Sequence, residues 1–451
     1  MNGKRRKTRL RLSSFQLIIS GFLFVILLGA VLLALPISKQ GGGRTGFMDA
    51  LFTSVSAVCV TGLVVQDTAT YWSGFGETVI LTLIQIGGLG VVTVAASFSM
   101  LSGRKIGLAQ RSLMQDAISA HQIGGIVRLT GFVLRTVFLI EGIGAALLAV
   151  PFMKEFGFAK GLWYAVFHSI SAFCNAGFDL MGESGHYSSL TAWFSNPLVN
   201  VTVMALIIIG GLGFLTWDDV KEKRWRVKRY RLQSKIILAV SLILVVFPAL
   251  IYFLIEFTAE RWPEMSAGER WMAALFQAVT PRTAGFNSVD LTRLSEGGLY
   301  LMIALMLVGG SPGSTAGGIK TTTVAVLVFL SISVFKREES ARCFGRRIDS
   351  DVTSSAACIF LLYLSLVFVA SVSISWIEGL PMLACLFESA SAIATVGLSL
   401  GLTPNLSVAS RIILMALMFF GRVGGLTLIY AASFERNTYS AALPKEKIAV
   451  G

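Results

Sequence analysis

The sequence predicts an all-α membrane protein: four tandem span–pore helix–span repeats, with eight spans and four re-entrant loops, around one pore. Three observations carry that expectation. Of the 451 residues, 54% are hydrophobic and only 14% charged, with a mean hydropathy of +0.73; a soluble globular chain carries roughly 25% charge. The basic residues cluster in alternate connections between apolar runs. One short phrase recurs four times at near-constant spacing.

Eight stretches meet the requirement of about 20 apolar residues for crossing a bilayer. They are approximately 15–36, 76–101, 128–152, 197–217, 235–257, 298–333, 354–377 and 409–434. The first follows a basic run, as a signal peptide does. It is too long and lacks a small-residue cleavage site, so it reads as a retained span.

Lysine and arginine mark one side of the membrane. They fill the opening tail (Lys4, Arg5, Arg6, Lys7, Arg9, Arg11), the connections 102–128, 221–235 and 336–347, and the closing tail (Arg436, Lys445, Lys447). The other side holds Lys39, Arg44, Lys154, Lys160, Arg261, Arg270, Arg282 and Arg293, while Arg135, Lys320, Arg411 and Arg422 lie in or at the edge of spans. The positive-inside rule then makes both termini cytoplasmic. A net charge of +13 on a soluble chain would suggest nucleic acid; here it is an orientation signal, and no nucleic-acid partner is expected. The loop 221–235 is most simply part of that signal, and it could also meet anionic membrane lipid or an acidic partner surface.

Catalytic signals are missing. Cys59, Cys174, Cys343, Cys358 and Cys385 fall in apolar runs or cytoplasmic loops, which excludes a secreted disulfide scaffold. His121, His168 and His186 are scattered and no nucleophile–base pairing is visible. The sequence therefore predicts no enzyme, no cofactor and no metal site beyond a transported ion.

Between the spans of each outer pair lies an apolar segment too short to cross, approximately 47–59, 160–173, 269–280 and 381–393; runs of this length are commonly re-entrant. Each leads into a similar phrase: FTSVSAVCVTGL from Phe52, FHSISAFCNAGF from Phe167, FQAVTPRTAGF from Phe276 and FESASAIATVGL from Phe387. Gly62, Gly177, Gly285 and Gly397 thereby recur every 108 to 115 residues, the signature of an internal repeat. A single such glycine would read as an ordinary turn residue; four in matched contexts on one side do not. The organisation is a basic cytoplasmic tail over 1–14, then repeats over 15–101, 102–217, 218–333 and 334–434, and a cytoplasmic tail over 435–451. The last three repeats each include a preceding cytoplasmic linker. Extended backbone at membrane depth must be buried or line a water-filled cavity, so four such loops predict a pore walled by backbone carbonyls.

On these motifs the chain resembles the Trk/Ktr/HKT superfamily of potassium transporters over approximately residues 15–435, with the bacterial KtrB-type subunit the nearest in organisation. The resemblance implies a potassium selectivity filter at Val60, Thr61 and Gly62, at Asn175, Ala176 and Gly177, at Thr283, Ala284 and Gly285, and at Thr395, Val396 and Gly397. Gly62 points to potassium, because plant relatives with serine there favour sodium. The resemblance further implies a homodimer with one pore per subunit, a cytoplasmic KtrA-like ring of nucleotide-binding regulatory subunits, sodium as an activator of uptake, and a bacterial inner-membrane location.

Within the sixth span, Gly309-Gly310-Ser311-Pro312-Gly313-Ser314-Thr315-Ala316-Gly317-Gly318 cannot continue as helix, since Gly costs about 1 and Pro about 3 kcal/mol in a helix interior. The break follows the third loop, so these residues are expected to form a gate below the filter, followed by Lys320. A phosphate loop is rejected because Ile319 separates Gly318 from Lys320 and no soluble strand precedes it. Arg422, a charge in the eighth span, needs a cavity or partners, and the resemblance assigns it to the same constriction. Asp67, Asp179 and Asp290 follow filter loops and are expected to give the outer mouth a negative potential. Glu141 and Arg135 share the third span but not a face, so their partners must come from elsewhere. Glu388 is read as a structural carboxylate at the start of the fourth short helix. The expected function is potassium uptake driven by the membrane potential; the alternative is a secondary cation carrier with alternating access.

Overall fold

The structure is a computed structural model describing residues 13–101, 106–118, 125–224, 226–338, 340–425 and 427. The opening basic tail to Arg11, then Arg104, Lys105, His121, the end of the eighth expected span and the closing tail lie outside these residues.

The chain is built from helices in four triads. The first comprises α1 (Ser14–Leu33), the short α2 (Phe47–Val58) and α3 (Gly74–Leu89), which continues at an angle as α4 (Val91–Leu101). After α5 (Leu108–Ile118) come α6 (Ile126–Phe156), the short α7 (Phe158–Phe173) and α8 (Pro197–Gly211), continuing as α9 (Phe214–Lys223). The third triad is α10 (Leu232–Ile251), the short α11 (Ala267–Val279) and α12 (Glu296–Leu307), followed by α13 (Thr321–Phe335). A two-residue hairpin, Arg342–Cys343 with Arg346–Arg347, precedes α14 (Ser350–Glu378), the short α15 (Met382–Ile393) and α16 (Val408–Val423).

Local chemistry sets the helix ends. Ser13 with Gln16 and Ser266 with Glu269 form capping boxes, and Ser73, Asn196, Ser295 and Ser407 accept from first-turn N–H groups, satisfying donors that a helix start leaves free. In α10, Pro248 lacks an N–H to donate, and the helix ends as a π-helical turn over Tyr252–Glu256.

Four helices, Ser14–Leu33, Ile126–Phe156, Leu232–Glu256 and Ser350–Glu378, are individually long and apolar enough to cross a bilayer. Their outward faces carry exposed large apolar side chains, among them Phe24, Phe138, Phe247 and Phe368. Such broad apolar exposure is foreign to a surface in water and fits one in lipid. The expected second and fourth spans are not straight: α3 and α4 meet at 96°, and α8 and α9 at 92°. Gly90 and Gly213 stand at these corners with φ of +85° and +89°, a region open to glycine at little steric cost.

The triads close into a ring. The last helix of each packs on the short helix of the next: α3 on α7, α8 on α11, α12 on α15, and α16 back on α2. Below the bends the links run outward, α4 against α6, α9 against α10 and α13 against α14. The core sits where the four short helices converge, with Phe52, Phe167, Phe276 and Phe387 fully buried at matching positions.

Candidate functional site

Each short helix ends at the centre of the ring and hands the chain to an extended loop. In all four loops the residue two before the glycine has positive φ: Val60 at +57°, Asn175 at +59°, Thr283 at +66° and Thr395 at +52°. Three of these are β-branched, for which this region is a genuine outlier. The glycines follow at +90° (Gly62), +69° (Gly177), +80° (Gly285) and +94° (Gly397). Strained residues cost of order 1–3 kcal/mol each and persist where the surroundings over-determine them, commonly at functional sites. Here the same unfavourable conformation recurs in all four loops.

The glycines touch in order around the axis. A Cβ placed on Gly62 would meet the Ala176 carbonyl oxygen, one on Gly177 the Ala284 oxygen, one on Gly285 the Val396 oxygen and one on Gly397 the Thr61 oxygen, each closer than 3.0 Å. The cycle closes on itself, and every contact is to the carbonyl preceding the next glycine. The structure thus brings together the four glycines with Thr61, Ala176, Ala284 and Val396; Val60, Asn175, Thr283 and Thr395 stand one residue behind them, and all eight non-glycine residues are buried.

A hydroxyl five or six residues before each glycine pins its loop, a signal that the repeated phrase already contains. The Gly62 N–H donates to Ser56 Oγ and the Gly397 N–H to Ser391 Oγ, both at 3.1 Å. In the other two loops the hydroxyl donates instead, Ser171 to the Phe178 carbonyl and Thr280 to the Phe286 carbonyl, both at 2.6 Å. A second set of polar residues, each directly after the buried Phe, reaches the outgoing limb. His168 Nε2 accepts from the Leu180 N–H at 3.3 Å, and its Nδ1 lies 2.7 Å from the Tyr164 carbonyl oxygen. Gln277 reaches Ser288 at 3.5 Å. Glu388 accepts from Ser399 Oγ at 2.6 Å, the Leu400 N–H at 3.0 Å and Thr403 Oγ1 at 2.7 Å. Glu388 therefore lies mid-helix in α15 and braces a loop, rather than complementing a helix N-terminus. Arg282 also departs from expectation: it is buried behind the third loop, donating to Ser241 Oγ of α10 at 2.9 Å, and is no outer-loop charge.

Outside the ring, Gly62, Gly177, Gly285 and Gly397 floor a recess of about 410 Å³ that Asp67, Asp179 and Asp290 also line. All three carboxylates accept backbone N–H bonds: Asp67 from Ala69 and Thr70, Asp179 from Met181, and Asp290 from Thr292. Burial, opposed by the Met181 N–H and reinforced by the nearby Asp67 charge, pushes the Asp179 carboxyl up to about 7.

On the opposite side of the ring, the segment between α12 and α13 crosses beneath the loops. Its backbone is held by α8 and the chain after it: the Ser311 N–H donates to the Gly211 carbonyl at 3.0 Å, and the Phe214 N–H to the Gly313 carbonyl at 2.7 Å. Gly309 and Gly310 bond to Ile319 and Thr321, and Pro312 lies between these anchors. Thr315 Oγ1 lies 3.1 Å from the Phe173 carbonyl and 3.3 Å from Asn175 Oδ1 under the second loop, and Gly317 and Gly318 abut Thr395 and Ala394 under the fourth. Lys320 Nζ turns back to the Ala316 carbonyl at 2.7 Å. Arg422 of α16 donates to the carbonyls of Thr315 and Gly87 and, at 3.2 Å, of Gly88. Its partners are thus carbonyls of the crossing segment and of α3.

Glu141 does find its partner elsewhere: Gln85 Nε2 of α3 donates to both carboxylate oxygens, at 3.1 and 3.3 Å, next to Cys174. Arg135, six residues earlier on α6, is exposed. Among the described residues no group of His, Cys, Asp and Glu could hold a metal ion.

Comparison with known proteins gives a consistent result. The family model described as TrkH, cation transport protein, matches residues 6–441. The sequence is 40% identical to the potassium/sodium uptake protein NtpJ of Enterococcus hirae over 99% of both chains. It is 38% identical to the Ktr system potassium uptake protein B of Bacillus subtilis, covering 94% of each. The crystal structure of the potassium transporter TrkH from Vibrio parahaemolyticus superposes with a TM-score of 0.73 at 20% identity, over 96% of this chain and 87% of that one.

Proposed function

The chain belongs to the TrkH family of cation transport proteins, and from that premise we propose that it is the ion-conducting subunit of a potassium uptake system. It is a multi-pass membrane protein, and on this reading the four triads supply eight spans and four re-entrant loops, with both termini cytoplasmic in a bacterial inner membrane. Potassium sheds its water onto carbonyls of the loops at Gly62, Gly177, Gly285 and Gly397 and passes along the axis. The single observation that carries the reading is the closed cycle of glycine-to-carbonyl contacts. The three atoms nearest to each added Cβ are all backbone, and that suits a path whose ligands are carbonyl oxygens.

The segment from Gly309 to Lys320, with Arg422, acts as the gate: it lies under two of the loops and is tied to the other repeats. Both cations are answered by carbonyl oxygens, so they brace the segment without standing free in the path. The names of the relatives favour potassium, with sodium either transported or acting as an activator. A homodimer and a cytoplasmic ring of KtrA-like nucleotide-binding subunits complete the proposed assembly.

The test is rubidium-86 uptake into proteoliposomes of the purified protein, with and without competing sodium, for wild type and Gly62→Ser. Uptake that resists sodium in wild type and loses that resistance, or is abolished, in the variant supports the path. Uptake unchanged by Gly62→Ser places the ion route elsewhere and favours an alternating-access carrier.

A further inference from the structure

A recess of about 780 Å³ opens along the first half of α6, on the side that the charge distribution assigns to the cytoplasm. Arg111 of α5, Arg128 and Arg135 of α6 and Lys221 of α9 line it, together with Phe132 and Leu139. Arg128, Phe132, Arg135 and Leu139 follow one another at three- and four-residue steps and so share a helix face. Lys221 Nζ sits 4.1 Å from the centre of the Phe132 ring, which holds a second element's cation against that face. Arg111 is fixed through Nε to the Ile106 carbonyl at 3.1 Å.

No carboxylate lines the recess, and none of the four cations forms an ion pair among the described residues. Asp219, the buried acid of α9, is already engaged by Lys223. Four like charges gathered without a counter-charge repel one another, so the recess is complementary to an anion. The same α6 face then continues away from the cations as exposed Leu139, Ile143, Leu147 and Val150, an apolar row about 16 Å long at 1.5 Å per residue. A soluble anion would use the cations and leave that row bare.

We propose that this recess binds an anionic phospholipid of the inner leaflet. Its phosphate lies among Arg128, Arg135 and Lys221, and one acyl chain runs along Leu139, Ile143 and Leu147. Basic pockets beside membrane helices on the cytoplasmic side recognise such headgroups by charge, and the guanidinium forks suit phosphate oxygens.

The full chain in non-ionic detergent is titrated with dioleoyl phosphatidylglycerol, dioleoyl phosphatidylcholine and inorganic phosphate, reading bound lipid by native mass spectrometry and Tm by intrinsic fluorescence. Phosphatidylglycerol should bind and raise Tm, and the other two should not. Replacing Arg128, Arg135 and Lys221 together with Gln should weaken binding on the order of a hundredfold, since each basic contact contributes a factor of about five. Arg128→Lys with Arg135→Lys should keep most of the affinity. If the Gln variant does not fold, Leu139→Glu, which sets a carboxylate one turn from Arg135, should weaken phosphatidylglycerol binding about tenfold. Undiminished binding by the folded Gln variant, or by Leu139→Glu, overturns the proposal. Equal protection by inorganic phosphate also overturns it and assigns the recess to a soluble anion.

Discussion

Arg411 Nη1 and Asp49 Oδ1 meet at 2.8 Å across 362 residues of sequence. One lies on α16 and the other on α2, so the pair joins the fourth triad to the first. Arg411 also donates to the Pro404 carbonyl at 2.8 Å, and the other Asp49 oxygen accepts from Gln66 at 3.0 Å. With side chains 17% and 22% exposed, the pair is largely shielded from solvent, and leaving either partner alone strands a shielded charge. Arg411→Met should destabilise the fold by about 1–3 kcal/mol, seen as a lower Tm in detergent. Adding Asp49→Asn should restore part of the loss; strictly additive effects would mean that the pair contributes nothing.

The contact cycle also predicts the cost of a single methyl group. Gly177→Ala places a Cβ 2.8 Å from the Ala284 oxygen, and at φ +69° it adds backbone strain. Gly41 has a similar φ of +76° but open space around it. Gly177→Ala should cut rubidium uptake by at least about tenfold, the combined price of strain and collision exceeding about 1.4 kcal/mol, whereas Gly41→Ala should leave it near wild type. Equal uptake by the two variants would remove the carbonyl ring from the ion path.

The hydroxyls behind the loops divide into two pairs, and their removal should do so too. Ser391→Ala takes the acceptor from the Gly397 N–H and leaves a buried donor unpaired, costing about 1–3 kcal/mol. Ser171→Ala leaves the Phe178 carbonyl, which has a second lone pair and is the milder orphan. Potassium-over-sodium preference, read from competition in rubidium uptake, should fall further in Ser391→Ala than in Ser171→Ala. The reverse order would show that the hydroxyls do not set loop geometry in this way.

Arg422 bridges the crossing segment to α3 through separate arms of one guanidinium. Lysine keeps the charge but lacks the planar fork, so if bridging matters, Arg422→Lys and Arg422→Gln should both raise uptake several-fold. Wild-type flux in the lysine variant with increased flux in the glutamine one would assign the effect to charge instead.

External pH should act through Asp179. Its carboxyl, pushed up to about 7 by burial first, is neutral below that pH and anionic above it. At limiting rubidium, uptake should rise about twofold as external pH goes from about 6 to about 8, because the added negative charge concentrates cations at the mouth. Asp179→Asn should flatten that profile. The stability sign is opposite: a raised carboxyl pKa favours the fold while protonated, and this contribution is lost as pH climbs from the ordinary carboxylate range through about 7.

Much of this arrangement is legible in the sequence, because repetition tells where a single motif would not. The phrases ending at Gly62, Gly177, Gly285 and Gly397 mark the loops, and the run from Gly309 to Gly318 marks the crossing segment. The bends at Gly90 and Gly213 leave no mark in the hydropathy, although Gly87-Gly88-Leu89-Gly90 recurs as Gly210-Gly211-Leu212-Gly213 and its outer glycines recur in Gly421-Arg422-Val423-Gly424. Hydropathy averages over such corners, because the residues on both sides are apolar. The place of Arg282 is hidden for a related reason: charge counting assumes that a basic residue between spans meets water, whereas this one turns inward to Ser241. The roles of Ser56, Ser171, Thr280 and Ser391 depend on which atom donates, and no sequence pattern states that.

Because α4 and α9 turn off at 96° and 92°, the last helix of each of the first two triads does not run straight on below the loop ring. In the proposed path the narrow stretch is then the glycine ring together with the crossing segment beneath it, and the transmembrane field is expected to fall mainly across these two. At about 2.3 kcal/mol per elementary charge for each 100 mV, such a field can sustain roughly a fiftyfold monovalent cation gradient. An ion past the ring and the crossing segment then has little electrical work left, so the voltage dependence of transport should reside in passage past these two and hardly at all in movement beyond them.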